Sequence, residues 1–166
     1  MAGRADSGIK AAQSSFFIDK PYILTLTDIT PWSIVEVMAE LVGQLESKLY
    51  YSSPESHDVA MSWISHLPVM VSASLIAACM EESDRKVLEL AQNLASSGFR
   101  DTSRVGGGNP NLGVMMAQYN RQALLASIKQ YRQQIDEVID TIEQEDWQSL
   151  DIKLTATQQW RSVFIG

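Results

Sequence analysis

The period of hydrophobic and polar positions changes along the chain, and the changes mark out its parts. Pro21-Tyr22-Ile23-Leu24-Thr25-Leu26 is a short β-branched and aromatic run between Lys20 and Asp28, and it predicts a strand. Thr30-Pro31 follows as a helix cap and first-turn proline. Ile34, Val37, Met38, Leu41, Val42 and Leu45 then recur at helical spacing. Ser47-Lys48-Leu49-Tyr50-Tyr51 predicts a second short strand. A strand–helix–strand unit of this size cannot close a sheet alone and wants further strands beside it, so the chain reads as truncated.

From Ser52-Ser53-Pro54 onward the period is helical throughout. One helix is expected from Pro54 to about His66, ended or kinked by Pro68 because the residue before a proline avoids the α region. A second, nearly free of charge from Pro68 to Glu81, is expected to be buried on most sides. Ser83 is placed to cap a third from Asp84 to about Ser96, with Val87, Leu88, Leu90, Ala91 and Leu94 facing inward and Gly98 as its stop. A short helix is expected over 110–119. Leu124, Ile128, Tyr131, Ile135, Val138 and Ile142 then form the strongest periodicity, a heptad seam of a helix lying along another helix. Trp147, Leu150, Leu154 and Trp160 predict a last helix. A bundle with such a seam often completes its core by dimerising, and packing of the seam within one chain is the alternative.

Between the two helical regions lies the stretch Leu94–Pro110, expected to be a loop. Arg100 and Arg104 flank Asp101, Thr102 and Ser103, and Gly106-Gly107-Gly108 allow close backbone approach or positive φ. Asn109-Pro110 reads as a cap and first helical position. Guanidinium forks match carboxylates bidentately, so one reading is a pocket for a small acid. The other is a surface loop with an internal Arg–Asp pair.

Composition narrows the classes. With 166 residues, 45% hydrophobic and 20% charged, the chain is one domain, or one plus part of another. A net charge of −7 argues against nucleic acid, whose binders carry a basic face. The charge-free run Leu67–Met80 is shorter than the roughly 20 apolar residues a membrane helix needs. Residues 1–15 lack the apolar core of a secretory signal. The single cysteine, Cys79, excludes an internal disulfide and reads as a small buried hydrophobe. These features favour a cytoplasmic protein. Two histidines and one cysteine suggest no metal site. His57-Asp58 reads as a first-turn capping arrangement. His66, just before a helix-breaking proline in an apolar stretch, must find a hydrogen-bond partner, and it is either a satisfied core histidine or a substrate contact. No nucleotide fingerprint, Walker loop or nucleophile elbow occurs.

Taken in order, His57-Asp58, Ser65-His66-Leu67-Pro68, Gly98-Phe99-Arg100-Asp101-Thr102-Ser103-Arg104, Asn109-Pro110 and Asn120 resemble the prephenate/arogenate dehydrogenases of tyrosine biosynthesis. Ala91–Asn109 and Met115–Asn120 are most similar to the cyanobacterial-type arogenate dehydrogenases. Met1-Ala2-Gly3 resembles the end of that family's His-Pro-x-x-Gly motif, which would place the family's general-base histidine before Met1. The resemblance implies a mainly α chain. Residues 1–52 would be the α/β tail of a truncated Rossmann-type nucleotide-binding domain, and 53–166 a helical substrate-binding and dimerisation domain. It also implies an NADP- or NAD-dependent oxidative decarboxylation, in which a cyclohexadienyl substrate gives up a hydride, loses CO₂ and becomes aromatic. The nucleotide would be bound mainly by the missing domain. Arg104 matches the arginine that binds the ring carboxylate, His66 would line the pocket, and Asp101 would belong to the polar network at its mouth.

Two positions depart from the pattern. Many prephenate-specific members have histidine where this chain has Val69, and tryptophan where it has Gly113. Loss of that cationic partner favours arogenate, an amino acid, over prephenate, a keto acid. The expectation is a homodimer inactive without its nucleotide-binding half. The competing expectations are a catalytically silent helical dimerisation module and, more weakly, an all-helical isomerase, which would need a denser set of cations around one cavity.

Overall fold

The computed structural model describes residues 8–9 and 12–165, the side chain of Ile165 excepted. The Met1–Gly3 motif end lies outside the described residues. Two compact units divide the chain, Met1–Leu124 and Leu125–Gly166.

The first unit opens with β1 (Pro21–Thr25), α1 (Trp32–Gln44) and β2 (Lys48–Ser52). The strands pair in parallel with Pro21 opposite Lys48 and Thr25 opposite Ser52. Parallel pairing needs a crossover connection, and α1 supplies it. Thr30 does not cap α1. Its hydroxyl accepts the Thr27 N–H at 2.9 Å, and the helix begins after Pro31. Of the expected stripe of α1, Val42 is buried and Met38 and Leu45 are half-buried, but its other edge turns outward. Val35 and Val42 are buried, whereas Ile34, Val37 and Leu41 are exposed. With two strands to cover among the described residues, the helix needs a narrow stripe.

A continuous helical rod follows: α2 (Pro54–Met61), a π turn (Ser62–His66) and α3 (Leu67–Met80). Ser53 caps it, accepting the Ser56 N–H at 3.1 Å. Pro68 was expected to end or kink this helix. Instead the π turn lies immediately before it. In a regular α-helix the proline ring would meet the Ile64 carbonyl and offer it no N–H, and widening the turn relieves both problems. The rod of 27 residues, with mean hydropathy 1.6 in its most apolar stretch, is long and apolar enough to cross a membrane by those two measures alone. It is not buried on most sides as expected. Leu67 and Ser72 are its buried α3 residues, and Cys79 is exposed.

Asp84, not Ser83, caps α4 (Arg85–Leu94), its carboxylate accepting the Lys86 N–H at 2.8 Å. The expected inner face of α4 is largely open. Leu88 is half-buried, but Val87, Leu90 and Leu94 are exposed, Leu94 by 70%. The Leu94–Pro110 stretch is not a loop throughout. Gly98 lies inside α5 (Ser97–Ser103), which packs on α3. Asn109 caps α6 (Pro110–Tyr119) as expected, accepting the Asn111 N–H at 3.0 Å. Next come α7 (Arg121–Glu143) and α8 (Trp147–Ile165). In the second unit Lys153 Nζ on α8 lies 3.0 Å from Glu137 Oε2 on α7 and 3.4 Å from the Gln134 carbonyl. Asp146 caps α8, accepting the Ser149 N–H at 3.0 Å.

Candidate functional site

Two small polar constructions, both in the first unit, hold the residues singled out in the sequence. The first surrounds His66, in the last position of the π turn. α6 packs against this turn. Asn120, nearly fully buried at the junction of α6 and α7, places its Nδ2 2.7 Å from the Asp58 carbonyl and 3.2 Å from His66 Nδ1. His66 is therefore the satisfied histidine that its apolar setting required. Burial pushes its imidazole below the usual pKa. The Asp58 carboxylate opposes this shift, and His57 adds to it. His57 Nδ1 and Asp58 Oδ1 are 3.0 Å apart.

The second construction seats the turn that carries Arg104. This residue is the C-terminal cap of α5 and is exposed. Two residues on, the Gly106 N–H donates to the buried Ser72 hydroxyl of α3 at 2.8 Å. A Cβ on Gly106 would fall against the backbone of Ser72 and Ala73. Gly106 was expected to let backbone approach a ligand. It lets backbone approach a helix instead. Among the described residues no hydrogen bond or ion pair joins Arg104 to Asp101 or to His66. Asp101 faces Arg100, with Nε to Oδ1 at 3.7 Å, and both are three-quarters exposed. The internal Arg–Asp pair foreseen as the bland reading is thus Arg100–Asp101, and it leaves the Arg104 guanidinium unengaged among the described residues. α3 links the two constructions, since His66 precedes its first residue and Ser72 lies within it.

Ser72 is a contributor that the sequence did not single out, and Asn120 was named in the family pattern without a role. The buried Asn had a signal, since it stands between two helical patterns. Ser72 had none in an apolar run. The structure also brings together the two departures from the family pattern. A Cβ on Gly113 would stand 3.8 Å from Val69 Cγ1, so α6 and α3 meet where neither residue carries a charge or a large ring.

An apolar cavity of about 600 Å³ lies between α3, α4 and α5, lined by Ile76, Cys79, Met80, Leu88, Ala91 and Phe99. It offers no cation to an acid. Among the described residues no cluster could hold a metal ion. For a dinucleotide the fit is also poor. The connection from β1 to α1, Leu26–Pro31, contains no glycine to admit a pyrophosphate at the helix start.

The family described as "Prephenate dehydrogenase, dimerization domain" matches residues 53–156. The chain belongs to the prephenate dehydrogenase family. It is 31% identical over 150 residues to the prephenate dehydrogenase of Bacillus subtilis (strain 168), covering 90% of this chain and 40% of that protein. Its fold matches the crystal structure of Synechocystis arogenate dehydrogenase with a TM-score of 0.91 and 50% identity, over 98% of this chain and 59% of that one. Prephenate dehydrogenase from A. aeolicus, solved with hydroxyphenyl propionate and NAD+, shares the fold at 22% identity and a TM-score of 0.90, over 98% of this chain and 56% of that one. The chain thus spans two-fifths of the length of the Bacillus relative. The mainly α architecture with its strand–helix–strand opening is the one expected from the sequence.

Proposed function

We propose that this chain is the C-terminal, substrate-binding and dimerisation part of an arogenate dehydrogenase, an NADP- or NAD-dependent enzyme of tyrosine biosynthesis that works in the cytoplasm as a homodimer. The observation that carries this reading is the 50% identity to an arogenate dehydrogenase over 98% of the chain. Residues 1–52 are then the tail of a nucleotide-binding domain, in keeping with a parallel sheet of two strands among the described residues. The nicotinamide nucleotide is bound mainly by that domain, and the general base is supplied from it. Taken alone, the chain is inactive.

What this chain contributes is recognition. Arg104, anchored through Gly106 and Ser72, meets the ring carboxylate of a cyclohexadienyl substrate with its guanidinium fork. His66 lines the pocket, and Asp101 tempers the charge at its mouth. Arogenate is favoured over prephenate because Val69 and Gly113 meet without a cation, which suits an amino-acid side chain, whose carboxylate has its own ammonium beside it, better than a keto acid. Protein, not lipid, covers the rod Pro54–Met80, in keeping with Ser62, His66 and Ser72 spaced along it.

Arg104→Ala in the complete enzyme tests the reading. The expected result is a rise of tenfold or more in the KM for arogenate, equivalent to about 1.4 kcal/mol or above. A second reading, a catalytically silent dimerisation module, draws on the exposure of Arg104 and Asp101. It predicts an unchanged KM.

A further inference from the structure

We propose that Asn120 is a positioning residue that holds His66 as a neutral imidazole with its proton on Nε2, so that His66 meets its ligand as a hydrogen-bond donor to an oxygen acceptor. This rests on the reading of His66 as a pocket residue and adds to it the atom that makes the contact.

The carboxamide of Asn120 has one possible orientation. The terminal atom of Asn120 that lies 2.7 Å from the Asp58 carbonyl must be the amide nitrogen, because a carbonyl oxygen can only accept. The flipped amide would set two acceptors against each other. The NH₂ group has a second hydrogen, and the polar atom next to it is His66 Nδ1 at 3.2 Å. A donor there requires a lone pair on Nδ1, and a neutral imidazole with a lone pair on Nδ1 carries its hydrogen on Nε2. Both ends of this chain are fixed by backbone. The Asp58 carbonyl also receives the Ser62 N–H at the end of α2. Asn120 itself closes α6, its N–H donating to the Met116 carbonyl, and opens α7, its carbonyl accepting the Leu124 N–H. The side chain that sets the tautomer is therefore held by two helix ends.

The π turn is the third component. Its extra residue per turn changes the direction in which position 66 leaves the rod relative to an unbroken α-helix, and α6 packs against this turn. The depressed pKa of His66 agrees with the arrangement, since a proton on Nδ1 would break the bond from Asn120. The charged and titratable groups acting on the ring are Asp58, which favours the cation, and His57, which opposes it.

Nitrogen NMR of the imidazoles reads the tautomer directly, and with two histidines in the chain a His57→Gln variant assigns the spectrum. At neutral pH the unmodified chain should show His66 with its proton on Nε2. Asn120→Asp replaces the donor by an acceptor, and it should move the proton to Nδ1 or raise the cation fraction several-fold. A purely structural role for Asn120 would not produce that signature. An unmodified chain with the proton on Nδ1, or with an even mixture, overturns the proposal, and this measurement needs no variant to fold. So does an Asn120→Asp chain of native circular dichroism in which neither the tautomer nor the cation fraction changes. In the complete enzyme, Asn120→Asp should raise the KM for arogenate at least tenfold. If the proton moves but KM does not, the carboxamide still sets the tautomer, and it is the placement of His66 in the substrate pocket that fails.

Discussion

Gly106 and Gly98 separate two roles that glycine plays around the proposed pocket. At Gly106 an added Cβ would strike the α3 backbone and come within 2.7 Å of Ser72 Oγ, so Gly106→Ala must push the Arg104 turn off the helix or break the Ser72 bond. The expected cost is about 1–3 kcal/mol, the range for overpacking, read as a lower denaturant midpoint of the chain. Gly98 lies in α5 with nothing within 4 Å of its Cβ position. Gly98→Ala should leave stability unchanged or raise it by up to ~1 kcal/mol, the helix-propensity difference. Equal losses at both positions would contradict this assignment. His66 gives a second prediction at the same scale. Its folded-state pKa is depressed, so the unfolded chain binds more protons in the window between that value and the ordinary imidazole value of about 6.5. Stability should therefore rise as pH climbs through that window and gain nothing more from this group above it. Denaturant titrations across the window test the sign, and His66→Gln should flatten the slope.

At the scale of elements, what could be read in advance depended on where each signal resides. The strands, the crossover helix, the helix from Pro110 and the long α7 were legible because period and turn chemistry are local properties. Ser53-Pro54 and Asn109-Pro110 marked helix starts correctly for the same reason. The failures came from context. Thr30 found the Thr27 amide instead of capping its own helix, and Asp84 displaced Ser83 as the cap of α4. Pro68 was absorbed because the residues before it could form a π turn, a choice that no single-residue rule anticipates. The expected loop became α5 because Gly98 tolerates a helix where the helix packs on α3. In the candidate site, Arg104 and His66 could be singled out from the sequence as residue types in context. The bonds that seat them could not, since Asn120 lies 54 residues from His66 and Ser72 lies 34 from Gly106.

At the scale of the whole molecule, the common feature of these departures is apolar surface left open in both compact units. The α1 residues Ile34 and Leu41, the α4 face and the α7 seam all expose side chains whose sequence spacing predicted burial. Along α7, Leu124 is buried and Ile128 and Val138 are half-buried, while Tyr131, Ile135 and Ile142 are exposed, Ile142 by 48%. Isolated exposed apolar residues are ordinary, but a row of them on one helix marks a contact surface. In the proposed homodimer a second copy would supply a matching row, and the matched family is described as a dimerization domain. Covering the open half of one such side chain contributes roughly 1 kcal/mol, about half the value of full burial. A glutamate placed there would have to lose its hydration without a partner, at a cost of several kcal/mol (on the order of 2 or more) in practice. Ile135→Glu should therefore weaken self-association by at least about a hundredfold, converting ~2.7 kcal/mol at 1.36 kcal/mol per decade. Its effect on the helix itself should be small, because position 135 is already 41% exposed in the single chain. Sedimentation equilibrium with circular dichroism separates the two quantities. A dimer for the unmodified chain and a helical monomer for the variant is the expected pair. A variant that remains dimeric would mean that the α7 seam faces solvent in the assembly, and that copies meet through another of the open faces.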